Sequence, residues 1–267
     1  MKRVIAFFGS LVAAAAITAV GAAETPSGFL DRTVRVGDNS YHYQVYVPSN
    51  FDRRRAWPII LFLHGAGERG TDGLRHTEVG LGELIRTSPE RVPAVVVFPQ
   101  APPGNVWAGQ LAQAALAALD QAAAEFHGDP DRTYLTGLSM GGYGVWVLAF
   151  DNPDRFAALV PVAGGLVPPF SRRLPSPLPG TLQADDPYAN TAARLKQVPA
   201  WVFHGADDPT VPVTESRKIV EALRKAGANV RYTEYESVGH HSWERAYAEP
   251  ELWTWLFAQK RHGAATP

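Results

Sequence analysis

The stretch Tyr134-Leu135-Thr136-Gly137-Leu138-Ser139-Met140-Gly141-Gly142-Tyr143-Gly144 decides the fold. Thr133 to Thr136 is β-rich, and Val145-Trp146-Val147-Leu148-Ala149-Phe150 continues as an apolar helix. Between them, Gly137-Leu138-Ser139-Met140-Gly141 fits G-x-S-x-G, the pattern of a sharp strand-to-helix turn with a serine at its tip. Glycines flank the tip because such a turn leaves the backbone regions open to residues with a Cβ. The following helix directs its N-terminal N–H groups and partial positive charge at the serine. A serine held there is placed to attack a carbonyl and to have the resulting oxyanion stabilised. The pentapeptide alone is weak, since Gly and Ser are common in loops. The rest of the chain has to supply a base, an acid and an oxyanion donor.

Working outward, strands alternate with helices. Pro58 to Leu63 and Val92 to Phe98 are continuous apolar runs, the mark of strands buried on both faces. Tyr41 to Val47, Ala158 to Ala163, Ala200 to Phe203 and Asn229 to Tyr235 complete the predicted strands. Gln110 to Phe126, Val213 to Ala226 and Pro250 to Gln259 read as helices. This predicts an α/β single domain with a mainly parallel sheet and helices on both faces. In such sheets ligands bind at the carboxyl ends of strands. Each candidate residue follows a strand. Val167 to Tyr188 differs: it carries six prolines and little periodicity, and predicts an irregular insertion that either lies over the site or forms a surface loop.

Composition narrows the classes. The chain has 267 residues, 46% of them hydrophobic, and a formal charge of −1. There is no basic excess for nucleic acid. The absence of cysteine excludes disulfides, thiolate metal sites and a cysteine nucleophile. No metal or cofactor is expected. Lys2 and Arg3, the apolar run from Val4 to Val20, and Gly21-Ala22-Ala23 predict a signal peptide over residues 1–23, with the catalytic domain over 24–267. The expected mature protein is periplasmic or extracellular, without stable membrane association.

After Ser139 the chain offers an acid beyond one strand (Asp207 or Asp208) and a histidine beyond the next (His240 or His241). The order Ser…Asp…His is that of α/β-hydrolases. The sequence resembles an α/β-hydrolase of the esterase, acyl-hydrolase and "predicted peptidase" kind, related to dienelactone hydrolases, feruloyl esterases and polyhydroxybutyrate depolymerases. The resemblance rests on Leu63-His64-Gly65-Ala66-Gly67-Glu68-Arg69-Gly70, Phe98-Pro99-Gln100 with Trp107, the Ser139 turn, His204 to Pro212, and Gly239-His240-His241-Ser242-Trp243. These pieces span most of the chain. The resemblance implies Ser139 as nucleophile, Asp208 as the acid, four residues after His204, and His240, directly after glycine, as the base. It also implies the backbone N–H groups of Ala66 and Met140 as oxyanion donors.

Trp107 and Trp243 are candidate pocket walls, with core packing as the plain alternative. His64 and His204 end strands and read as structural. Glu68 and Arg69 are read either as holding a polar substrate group or as ordering their loop. The implied substrate is a small-molecule or polymeric ester. A peptidase of prolyl-oligopeptidase type and an inactive binding protein with this fold are the alternatives. Gly65 to Gly70 also matches G-x-G-x-x-G, but the loop runs into Thr71-Asp72-Gly73 and the next strand ends at Phe98-Pro99-Gln100, without the acid that a ribose needs.

Overall fold

A computed structural model of the chain describes residues 26–168 and 179–261. The predicted signal peptide and the middle of the proline-rich segment lie outside the described residues. Eight strands form one sheet: β1 (Gly28–Val36), β2 (Asn39–Val47), β3 (Trp57–Leu63), β4 (Val95–Pro99), β5 (Gly128–Leu138), β6 (Ala158–Val162), β7 (Ala200–Gly205) and β8 (Val230–Tyr235). Their spatial order is β1-β2-β4-β3-β5-β6-β7-β8. β1 and β2 run antiparallel at one edge, and the remaining strands are parallel from β4 across to β8.

The helices are α1 (Leu81–Thr87), α2 (Gly109–Glu125), α3 (Met140–Asp151), α4 (Pro187–Leu195), α5 (Thr214–Lys225), α6 (Trp243–Ala248) and α7 (Pro250–Ala258). Two apolar cores account for the unbroken hydrophobic runs. In β3, Ile59, Leu61 and Leu63 enter one core, while Ile60 and Phe62 enter the other. Alternate side chains of a strand face opposite sides, so a strand covered on both faces must be apolar throughout.

Four elements depart from the sequence expectation: β1, α4 and the short helices α1 and α6. β1 was not anticipated, because GFLDRTVRV is polar and mostly half-exposed at the sheet edge. The proline-rich segment also ends in a helix. Pro187 opens α4, and the Asp186 carboxylate caps it by accepting the N–H groups of Tyr188 and Ala189 at 3.0 Å each. Proline suits the first helical turn, where its missing N–H has no helical partner anyway. None of the described helices is long and apolar enough to cross a membrane.

Candidate active site

Ser139 sits between β5 and α3 with φ of 52° and ψ of −117°, a conformation costly for a residue with a Cβ. Its surroundings hold it there. Ser139 N–H donates to Val162 O at 2.9 Å, and Tyr143 N–H donates to Ser139 O at 3.2 Å. Glycine is required on both flanks by close approach. A Cβ on Gly137 would stand 2.6 Å from Gly141 O, and one on Gly141 would stand 1.8 Å from Leu63 O. The end of β3 is thereby pressed against the first turn of α3.

That contact brings the loop after β3 to the serine. A Cβ built on Gly65 would lie 3.5 Å from Ser139 Cβ. The loop is oriented by His64, which is 1% exposed. Its Nε2 accepts the Ala101 N–H at 2.9 Å, so Nδ1 must carry the ring proton and donate to Gly65 O at 2.6 Å. Burial pushes the His64 pKa down to about 3, which keeps the ring neutral. The carbonyl it holds belongs to the same peptide group as Ala66 N–H. Met140 is the first residue of α3, so its N–H has no carbonyl one turn back to bond.

The other half of the site comes from β7 and β8. Ala206 N–H donates to Tyr235 O at 2.9 Å, and Asp207 N–H to Val238 O at 3.0 Å, which ties the two loops together. His240 Nε2 lies 2.9 Å from Ser139 Oγ, and His240 Nδ1 lies 2.7 Å from Asp208 Oδ2. The Asp208 side chain is fully buried, whereas that of His240 is 15% exposed. The other Asp208 oxygen accepts the N–H groups of Thr210 at 2.8 Å and Val211 at 2.9 Å. Burial pushes the Asp208 carboxyl up, but hydrogen bonds from His204, His240 and these two amides outweigh it and hold it well below the usual carboxylate range. Asp207 and His241 are both exposed.

Trp107 is buried and donates its indole N–H to His64 O at 2.9 Å, with its ring edge-on to His64 at 5.0 Å. With Met140, Tyr143, Leu166 and Thr181 it lines a small, mainly apolar pocket. Trp243 stands edge-on to His240 at 5.3 Å and packs on His241 at 4.6 Å. Glu68 Oε2 is buried without a hydrogen-bond partner, and burial raises its carboxyl pKa. Arg69 donates to Asn105 O at 2.6 Å, and its guanidinium lies against Met140 Sδ.

Sequence reasoning missed three contributors. Gln100 receives Gly73 N–H at 2.8 Å and donates to Asp72 at 2.9 Å, fastening the loop after β3 to the end of β4. His204 reaches Asp208 as well as Ser216. Glu215 is a buried carboxylate that accepts the N–H groups of Leu166 at 3.1 Å and Val167 at 3.0 Å, and the Tyr188 hydroxyl at 2.7 Å. The adjacent Phe98-Pro99-Gln100 motif was the available signal for Gln100. His204 lies in the His204 to Pro212 stretch and reads from sequence as structural only; no local pattern marks Glu215.

Comparison with known proteins follows the same outline. A family model described as "Putative esterase" matches residues 36–259. The chain is similar to a crystal structure of a thermostable esterase, with a TM-score of 0.73 and 33% identity, covering 87% of this chain and 63% of that one. It is 24% identical to poly(3-hydroxyalkanoate) depolymerase C of Paucimonas lemoignei, over 98% of this chain and 67% of the relative. It is 26% identical to an uncharacterized secreted protein of Arthroderma benhamiae, over 72% of this chain. It spans 22% of that relative's length. With the match covering most of the sheet and every loop at its carboxyl edge, this chain belongs to the esterase family of the α/β-hydrolase fold.

Proposed function

We propose that the protein is an exported serine hydrolase that cleaves carboxylic esters through an acyl-enzyme. The observation that carries this reading is the unbroken line from Ser139 Oγ to His240 at 2.9 Å and from His240 to Asp208 at 2.7 Å. A serine hydroxyl is a weak nucleophile at neutral pH and needs a base within hydrogen-bond reach, itself oriented by an acid. Ser139 Oγ attacks the substrate carbonyl carbon while His240 Nε2 takes its proton. Asp208 fixes the His240 ring with Nδ1 protonated and stabilises the imidazolium. The developing oxyanion is received by the N–H groups of Met140 and Ala66. Each such donor is worth roughly 3–4 kcal/mol of transition-state stabilisation. Collapse expels the alcohol, which takes the proton back from His240. Water, activated by the same imidazole, then releases the acid and frees Ser139.

Ester cleavage is favoured over peptide cleavage by the family match, and because an ester carbonyl is less resonance-stabilised than an amide and an alkoxide leaves more readily than an amide anion. Export is supported by the N-terminal pattern Lys2-Arg3, Val4 to Val20 and Gly21-Ala22-Ala23, and by the name of the secreted relative. The test is a fluorophosphonate reaction followed by peptide mapping, run beside a p-nitrophenyl ester series. An adduct on Ser139 with ester turnover is expected. A folded protein with neither adduct nor turnover would overturn the reading in favour of a binding protein.

A further inference from the structure

Asp208 Oδ2 faces a second imidazole. His204 Nε2 lies 3.2 Å from it, and His204 Nδ1 lies 2.7 Å from Ser216 Oγ. The aspartate is therefore flanked by two arms of the same composition: Ser139–His240 on the open side and Ser216–His204 on the inner side. We infer that the inner arm is a positioning device, which aims the Asp208 carboxylate and moderates its hold on His240. This inference rests on the catalytic roles proposed above for Ser139, His240 and Asp208.

Partner chemistry places the proton on His204 Nε2. His204 Nε2 faces Asp208 Oδ2 and, at 3.0 Å, Val211 O. Both are acceptors without a proton, so Nε2 carries one. Nδ1 meets the Ser216 hydroxyl at 2.7 Å. Ser216 Oγ also lies 3.3 Å from Gly164 O. The inner arm thus joins the carboxyl ends of β6 and β7 to the first turn of α5. His204 and Ser216 are 0% and 1% exposed. Burying two such side chains is unfavourable unless each is bonded, and an apolar pair would fill the space without that cost.

The two imidazoles share one oxygen, so they compete. Electron density that Oδ2 gives to the His204 proton is withheld from His240. A core role alone would leave the open arm unaffected; a positioning role would not. Other ionisable groups face this cluster. Glu234 pairs with His204 across β7 and β8, and bonds with Arg217 draw its carboxyl down to about 2. Glu215, next to Ser216, is bonded to two amides and to Tyr188. Burial, then the carboxylates of Glu215 and Asp208, raise the Tyr143 phenol above its usual value. His204, Asp208 and His240 are left as the groups whose coupling an acid-side profile reads.

The test is the pH dependence of kcat/KM on p-nitrophenyl acetate for wild type, His204→Leu, His204→Gln and Ser216→Ala, each checked for folding by circular dichroism. His204→Leu frees Oδ2 for His240, so His240 keeps its proton to higher pH. The acid limb should move up by about half a pH unit or more, and kcat should fall about tenfold with KM unchanged, the scale of one charged hydrogen bond. His204→Gln restores an N–H toward Oδ2 and should recover most of both effects. Ser216→Ala should shift the limb the same way by less. A folded His204→Leu with the wild-type limb, or a His204→Gln as impaired as His204→Leu, would overturn the inference. If His204→Leu does not fold, an unmoved limb in Ser216→Ala overturns it. Ester turnover surviving in Ser139→Ala would instead overturn the reading beneath it.

Discussion

Ser139 and Ser216 stand at the ends of two similar hydrogen-bond lines that meet on one carboxylate, yet only one is placed to react. Ser216 lies inside the first turn of α5, shut away from solvent. Ser139 lies outside α3, in a strained backbone at the sheet edge, partly open and next to unsatisfied N–H groups. The Ser–His–Asp line alone does not make a serine nucleophilic toward a substrate. Access for the carbonyl and a place for its developing charge are the difference.

The sharpest way to break that comparison is to remove each hydroxyl. Ser139→Ala should lower kcat about 10⁶-fold with the fold intact, as the loss of a triad nucleophile does. Ser216→Ala should cost no more than about tenfold, the value of a hydrogen bond to a charged network. Steady-state ester hydrolysis measures both, and comparable losses would end the distinction. Removing the shared carboxylate is the next largest change. Asp208→Asn should lower kcat about 10⁴-fold, by presenting the wrong hydrogen-bonding group to His240. Asp207→Asn should leave kcat near wild type, because Asp207 is exposed. The reverse ranking would move the acid to Asp207.

Stability against pH sharpens the picture further. The Asp208 carboxyl has a folded pKa held below its unfolded value, near 4. Its ionised form therefore favours folding fully above about pH 4, and that contribution is lost as pH falls through the lower folded value. Thermal melts from pH 5 downward should show a shallower acid-side fall for Asp208→Asn than for wild type. An equally steep fall would mean that other carboxylates dominate. The smallest expected effect is on the outer arm's packing. Trp243→Phe keeps a ring beside His240 but shortens the edge contact, and should lower kcat/KM only a few-fold.

Most of the scaffold was legible in the sequence, because strands buried on both faces leave unbroken apolar runs such as Pro58 to Leu63. The turn at Ser139 was legible because its close approaches demand glycine at fixed spacing. β1 was not, since an edge strand with mixed exposure carries little periodicity. α4 was obscured by the prolines before it, although Asp186-Pro187 is a helix-start signal. The link from His204 to Asp208 was illegible for a different reason. A four-residue spacing implies contact on a helix, but here it spans a strand end and a turn, and only the turn's backbone brings the side chains together.

Glu215 gives the Val167–Tyr188 segment an unusual mechanical status. The chain departs at Val167 and returns at Tyr188 from a single carboxylate, anchored on the same helix as Ser216. For a flexible loop joined at its base, each doubling of length costs only about 0.6 kcal/mol of closure entropy. Both described ends of the segment are thereby tied to one point on α5, which fixes where the chain leaves and rejoins the sheet edge.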